Sequence, residues 1–354
     1  MKRFESLDGL RGVCASIVVL FHCDTVLYTG HLFNHGYLCV DVFFVLSGFV
    51  IALTYEPRLR AGTGAAAFLK ARCRRLLPVH FIGTGIVSLT AASLWAAGFI
   101  QLPGFTYPIM AGVMLLGMLM IPQRLVTGDA FPLNSVLWSL WGEWLANIVY
   151  ALGVYAVRTS ILIALVAIFW GITSYYAFHN PFGWMMGITQ HDMTGVVGRS
   201  MGGFLAGVCL FRAYQRGYLA RLPSLSPELL FAAWLIISAM PAPTITPAFD
   251  MIAVIVVSPL LIALLIRSDK PMPKIFVKLG ALSYPLYASH LAFIAIAAAY
   301  FQEFHASRHI VYAVPITAAS LILAWAINRI TARKSSSPAV YRNKKLPGAA
   351  PDPA

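Results

Sequence analysis

The sequence predicts an all-α fold: a polytopic transmembrane helical bundle of about ten spans plus one short re-entrant or half-crossing segment. Three observations carry that prediction. Hydrophobic residues make up 59% of the 354 positions and charged residues 11%, with a mean hydropathy of +0.75, whereas a water-soluble globule holds about 25% charged residues. The apolar residues gather in runs near the roughly 20 residues that a helix needs to cross a hydrocarbon core of about 30 Å. The basic residues stand in short clusters between those runs, as the positive-inside rule places them. The net charge of +13 therefore does not point to nucleic acid, which needs a basic face or groove on a folded domain.

Taken in order, the candidate spans cover residues 9–28, 37–55, 78–100, 108–122, 134–157, 160–178, 195–211, 227–241, 249–266, 281–301 and 310–330. The first opens behind Met1, Lys2 and Arg3 like a signal peptide. No small-residue cleavage site follows Phe21-His22-Cys23-Asp24, so an uncleaved span is expected. Segment 108–122 carries no charge, lies between Pro108 and Pro122, and is read as re-entrant; segment 227–241 is also short. Ten spans then leave both termini and the 56–77 loop on one side, with 23 of the 26 basic residues there and only Arg124, Arg199 and Arg308 opposite. A full crossing at 108–122 would exchange the sides of every later loop and erase the bias. One membrane domain is expected over 1–332, and the Ser-, Pro- and Lys-rich segment 333–354 is expected to be a disordered, solvated cytosolic tail. No internal repeat or separate soluble domain is visible. Cys14, Cys23, Cys39, Cys73 and Cys209 form no C-x-x-C pair, so neither a disulfide framework nor a metal site is expected.

The first span carries an ionic ladder, Asp8, Arg11 and His22. Eleven residues separate Arg11 from His22, and at about 100° per residue that returns them to within about 20° of one helix face. An ionisable residue in membrane-like sequence costs roughly 2.5–3.5 kcal/mol on insertion scales and marks a functional position by default. His22 lies about 20 Å along the helix from Gly9, past the middle of the bilayer. A neutral imidazole, with an ordinary pKa near 6.5, can accept a proton there.

Five stretches, in this order over residues 4–330, carry a family resemblance: FESLDGLRGVCASIVVLFH, GYLCVDVFFVLSGFVI, Arg72-x-x-Arg75-Leu-Leu-Pro78, LNSVLWSLWGEW around Glu143, and LGALSYPLYASHLAF. Together they resemble the acyltransferase-three family of integral-membrane O-acyltransferases. The resemblance implies transfer of an acyl group, often acetyl, from cytosolic acyl-CoA to a hydroxyl of a glycan, glycolipid or similar acceptor at the bacterial inner membrane. It implies acyl-CoA as donor co-substrate, no metal, a carbohydrate or glycolipid partner, and both termini in the cytosol. Some relatives carry an extracytoplasmic hydrolase-like domain; this chain is expected to be a stand-alone member. It departs from many relatives in lacking a second acidic residue after Glu143 and in placing Cys39 before Val40-Asp41, where Gly is common.

Within that reading His22 is the candidate base, or the transient acceptor of the acyl group; the sequence leaves both routes open. Asp41 and Glu143, each entering its span from the outer side, are the acids available to orient or charge-balance it. Either can instead satisfy a helix-packing hydrogen bond. Arg72 and Arg75 stand at i, i+3 on one helix face, and guanidinium forks bind phosphate oxygens bidentately, which suits the diphosphate and ribose phosphate of coenzyme A. Arg11 joins this donor-binding set, with snorkelling to the interface as its alternative. Ser47 and Gly48 allow close approach of the acyl chain or pantetheine, with helix packing as the alternative for Gly48. His290, beside Ser283, Tyr284 and Tyr287, is read as an interface residue outside the catalytic set, and the other histidines as structural. The rival classes are a transporter of lipid-linked sugars or small metabolites, which also uses intramembrane ionisable residues, and a membrane scaffold, for which changing His22 would be silent.

Overall fold

The structure, a computed structural model, describes residues 4–28, 32–126, 128–180, 183–187, 189–241, 247–268, 270–303 and 309–335. Of the tail expected over 333–354, residues 333–335 still belong to the last helix, and the rest, with Lys2, Arg3 and Arg308 of the charge pattern, lies outside these residues. The described residues form helices and no strand: α1 (Glu5–Leu27), α2 (Cys39–Arg60), α3 (Ala65–Ala96), α4 (Tyr107–Met118), α5 (Leu137–Ala151), α6 (Thr159–His179), α7 (Met193–Gln215) and α8 (Pro227–Ser238). They continue with α9 (Pro247–Arg267), which contains a π-helical turn at Ala253–Val257, α10 (Lys274–Ser289), α11 (Leu291–Glu303) and α12 (Ala313–Ser335).

Local chemistry sets several boundaries. α1 stops where Tyr28 enters the left-handed region at φ 51° and donates its N–H to the Asp24 carbonyl. α4 and α8 open with a proline in the first turn, where a backbone N–H would have no intrahelical partner anyway. Ser226 caps α8 by accepting from the Leu229 N–H.

Every predicted apolar run contains a helix, yet helix length does not support ten spans. Seven helices (α1, α2, α3, α6, α7, α9 and α12) are long and apolar enough to cross a membrane, and α10 with α11 makes an eighth as a pair bent by 52°. α4 and α8 have 12 residues each and α5 has 15, roughly 18 to 22 Å of helix against a core of about 30 Å. Hydrogen bonds nonetheless sort the connections into two ends of one bundle. At the first, Arg212 donates to the carbonyls of Tyr155 and Val157, Arg60 to that of Tyr155, and Ser6 to that of Leu265. At the second, the His35 N–H donates to the Ser238 carbonyl, Asn34 to that of Met240, and Gln190 to those of Val126 and Asp129. Short as they are, α5 and α8 carry the chain between these ends. The first carries Arg58, Arg60, Arg158, Arg212 and Arg216 and is the basic end.

The most buried spans are α2 and α7, each with 78% of its apolar window inside the bundle, against 22% for α6 and 28% for α12. Exposed Ile161, Ile163 and Ile168 on α6, and Val314, Ile322 and Trp325 on α12, form an outward apolar surface suited to lipid. Glycine brings the two central helices together: a Cβ at Gly48 would strike the Phe204 carbonyl oxygen, and one at Gly207 that of Val45. Small residues permit this backbone-to-backbone packing in membranes. A second glycine contact joins α1 to α10, where Gly12 meets Leu279 and Gly280, and Gly280 meets the Asp8 carbonyl. At the basic end Glu56 ties α2, α5 and α7 together, accepting from Arg212 Nε at 3.1 Å, Arg60 Nε at 3.1 Å and the Tyr150 hydroxyl at 3.0 Å.

Candidate active site

A cavity of about 400 Å³ lies among α1, α2, α3, α5, α10 and α12. Arg11, Arg72, Arg74 and Arg75 line it together with Asp8 and, from α12, Asn328 and Thr331; farther along α2, α5 and α10 it is lined by Ser47, Glu143 and Tyr284, then by Phe43, Ser139 and Tyr287. Four guanidinium groups leading to aromatic and apolar walls suit an amphiphile with a polyanionic head and an uncharged arm.

The ionic core of the cavity spans three helices. Arg72 Nη2 donates to Glu143 Oε1 at 2.9 Å, and the same oxygen accepts from Ser47 Oγ at 3.1 Å. Arg72 is buried, with its side chain 6% exposed against 22% for Glu143. Its Nε–H is buried with no hydrogen-bond partner among the described residues, and such a donor carries a desolvation penalty that an anionic ligand oxygen would relieve. Glu143 is thus bound to the arginine of α3 and the serine of α2.

His22 has a different neighbour from either expected carboxylate. Its Nδ1 lies 2.9 Å from the Val18 carbonyl and 3.2 Å from Nε2 of His290. His290 is fully buried at the break between α10 and α11, and its Nδ1 is 3.0 Å from each of the Leu286 and Tyr287 carbonyls. The glycine contact explains the meeting: α1 and α10 touch at Gly12 and Gly280, and the two histidines lie ten residues beyond those glycines. Tyr287 links the pair to the cavity. Its ring lies 6.1 Å from that of His290 and 5.9 Å from that of Phe43, and its hydroxyl is 2.7 Å from Ser139 Oγ.

The structure therefore brings Arg11, Arg72, Arg75, Ser47 and Glu143 to one cavity and places His22 behind its Tyr287 wall, paired with His290. Three expectations are corrected. Glu143 does not orient His22; it accepts from Arg72 and Ser47. Asp41 does not orient His22: it is locked to Arg199, with Trp184 Nε1 donating to it at 3.4 Å. A buried carboxylate requires such a counter-charge. Gly48 does not line the cavity; it faces the α7 backbone, where any side chain would force the helices apart.

His290 and Arg199 are not among the site residues that the sequence predicts. His35, expected to be merely structural, joins Asp250 and Tyr37 in a buried cluster, with Nδ1 to Asp250 Oδ1 at 3.0 Å and the tyrosine hydroxyl donating to Oδ2 at 2.8 Å. A signal is present for three of these residues. Arg199, Asp250 and His290 are ionisable residues inside candidate spans, the same feature that singles out His22.

A family model described as an acyltransferase domain matches residues 4–329. The chain is 37% identical over 166 residues to protein 2 in the picA locus of Rhizobium radiobacter, an alignment covering 42% of this chain and 82% of that protein. It is 31% identical over 134 residues to the exopolysaccharide production protein ExoZ of Rhizobium meliloti (strain 1021), covering 38% of each chain. No solved structure matches.

Proposed function

The chain belongs to this acyltransferase family, and from that premise we propose that it transfers an acyl group from cytosolic acyl-CoA to a hydroxyl of a glycan or glycolipid at the bacterial inner membrane, with the basic end and both termini in the cytosol. The observation that carries the reading is the cavity, with arginines for a polyanionic head and an aromatic wall backed by the histidine pair. Arg11, Arg72 and Arg75 hold the coenzyme A phosphates; Glu143 and Ser47 hold Arg72 in place; the pantetheine arm runs toward Tyr287. His22 takes the proton of the acceptor hydroxyl as its oxygen bonds to the acyl carbon. The carbon–sulfur bond breaks, and the leaving thiolate recovers that proton from His22. In the two-step form of the same chemistry His22 first takes the acyl group and then yields it to the hydroxyl. The name of the ExoZ relative refers to exopolysaccharide production, which supports a polysaccharide or its lipid-linked precursor as acceptor.

The test uses purified protein in nanodiscs, radiolabelled acetyl-CoA and glycolipids extracted from a strain deleted for this gene. His22→Ala should lower turnover by about 10²- to 10⁴-fold, the usual contribution of a general base, while acetyl-CoA still binds. Near-native turnover would remove His22 from the chemistry. A burst of labelled protein before product appears identifies the two-step route.

A further inference from the structure

We propose that His290 is a positioning residue for this reaction: by accepting a hydrogen bond from His22 Nδ1 it holds His22 in the tautomer whose Nε2 carries the lone pair. The proposal rests on the reading of His22 as base or acyl acceptor, and both routes need a free lone pair on that imidazole.

His290 Nδ1 lies 3.0 Å from two carbonyl oxygens, those of Leu286 and Tyr287, and a carbonyl only accepts. Nδ1 of His290 therefore bears a proton. The ring is fully buried, and its hydrogen-bond partners are two carbonyls and an imidazole, none of them an anion. A second proton would create an uncompensated buried charge, so His290 is neutral and its Nε2 is bare. That bare nitrogen faces His22 Nδ1 at 3.2 Å, and the Val18 carbonyl faces the same Nδ1 at 2.9 Å. Both accept, so His22 Nδ1 is the donor, shared between them, and its Nε2 is free. The reverse polarity would set one lone pair against two carbonyls and another against a third.

Free histidine favours the opposite tautomer, with the proton on Nε2, so the site must hold its own. Val18 lies on the same helix as His22, so its carbonyl holds the ring only relative to α1. His290 arrives from α10, anchored by the glycine contact of Gly12 with Gly280, and fixes the ring from outside. When His22 gains a proton or an acyl group on Nε2, its Nδ1–H becomes a charged donor and the bond to His290 strengthens. An acid would do the same in a triad; here a neutral imidazole does so without placing an anion in the bilayer core.

The test has a spectroscopic and a kinetic arm, both on the full chain in nanodiscs. With ¹⁵N-labelled histidine, and His22→Asn to assign the signals, wild-type His22 should show a protonated Nδ1 and a bare Nε2. A proton on Nε2 would overturn the proposal whatever the activity. For the kinetic arm, His290→Gln keeps an acceptor near the position of Nε2 and His290→Leu removes it. With acetyl-CoA and the extracted glycolipids, His290→Leu should lose kcat on the order of 10- to 100-fold, less than loss of the base itself. Its KM for acetyl-CoA should stay unchanged and its His22 signal should divide between two tautomers. His290→Gln should restore most of kcat. Equal losses in the two variants with an unchanged His22 signal would make His290 merely structural and overturn the proposal. An active His22→Ala would instead overturn the reading of the base, an outcome the tautomer measurement does not share.

Discussion

Arg199 closes on Asp41 with two nitrogens, Nη2 to Oδ2 at 2.6 Å and Nε to Oδ1 at 2.8 Å, and both side chains are 1% exposed. Further bonds from its Nη atoms reach the carbonyls of Tyr37, Trp184 and Met186, so one guanidinium holds α2, α7 and the segment between α6 and α7 together. Asp41→Asn leaves that cation uncompensated and should destabilise the fold by about 3–5 kcal/mol. Replacing both partners by apolar residues, Asp41→Leu with Arg199→Met, should recover much of the loss. Thermal unfolding in detergent measures both effects. Asp41→Asn protein of normal stability that has lost turnover would return Asp41 to the chemistry.

Lysine keeps the charge of arginine but not its fork. Arg72→Lys and Arg75→Lys should each weaken acetyl-CoA binding by about 5- to 150-fold, the equivalent of roughly 1–3 kcal/mol. Arg58→Lys and Arg60→Lys should leave it nearly unchanged, because neither residue lines the cavity and Arg60 is engaged with Glu56 and the Tyr155 carbonyl. Isothermal titration of the four variants decides the matter. Small, equal effects would mean that Arg72 and Arg75 serve only to anchor the chain at the interface.

Gly48→Ala separates packing from binding. Its added methyl meets the Phe204 carbonyl and should lower stability by about 1–3 kcal/mol, the usual cost of overpacking. Acetyl-CoA affinity of the folded fraction should be unchanged. A variant of normal stability with reduced affinity would place Gly48 at the donor after all.

Sidedness can be read with an impermeant thiol reagent. In a background lacking Cys73 and Cys209, the two native cysteines that are not fully buried, Gly64→Cys before α3 should react only from the cytosol. Gln101→Cys beyond the far end of α3 should react only from outside. Both positions are exposed. Labelling of Gly64→Cys from outside would reverse the assignment of the basic end.

Much of this protein is legible in its sequence. Hydropathy alone determined that it is a helical membrane protein, because lipid leaves backbone polar groups no partner except one another. The spacing of Arg72 and Arg75, and of Arg11 and His22, was readable because helical period is a local property. What the sequence could not determine is which distant residue answers each charge. His22 meets His290 across 268 positions, Asp41 meets Arg199 across 158, and Arg72 meets Glu143 across 71. A carboxylate, a guanidinium or an imidazole would each have satisfied the local pattern. The choice fell to packing, to where Gly12 lets α1 touch α10 and Gly48 lets α2 touch α7. Hydropathy alone leaves the span count open for a related reason: apolar runs report which residues avoid water, and burial inside the bundle hides a short helix such as α5 as well as lipid hides a long one.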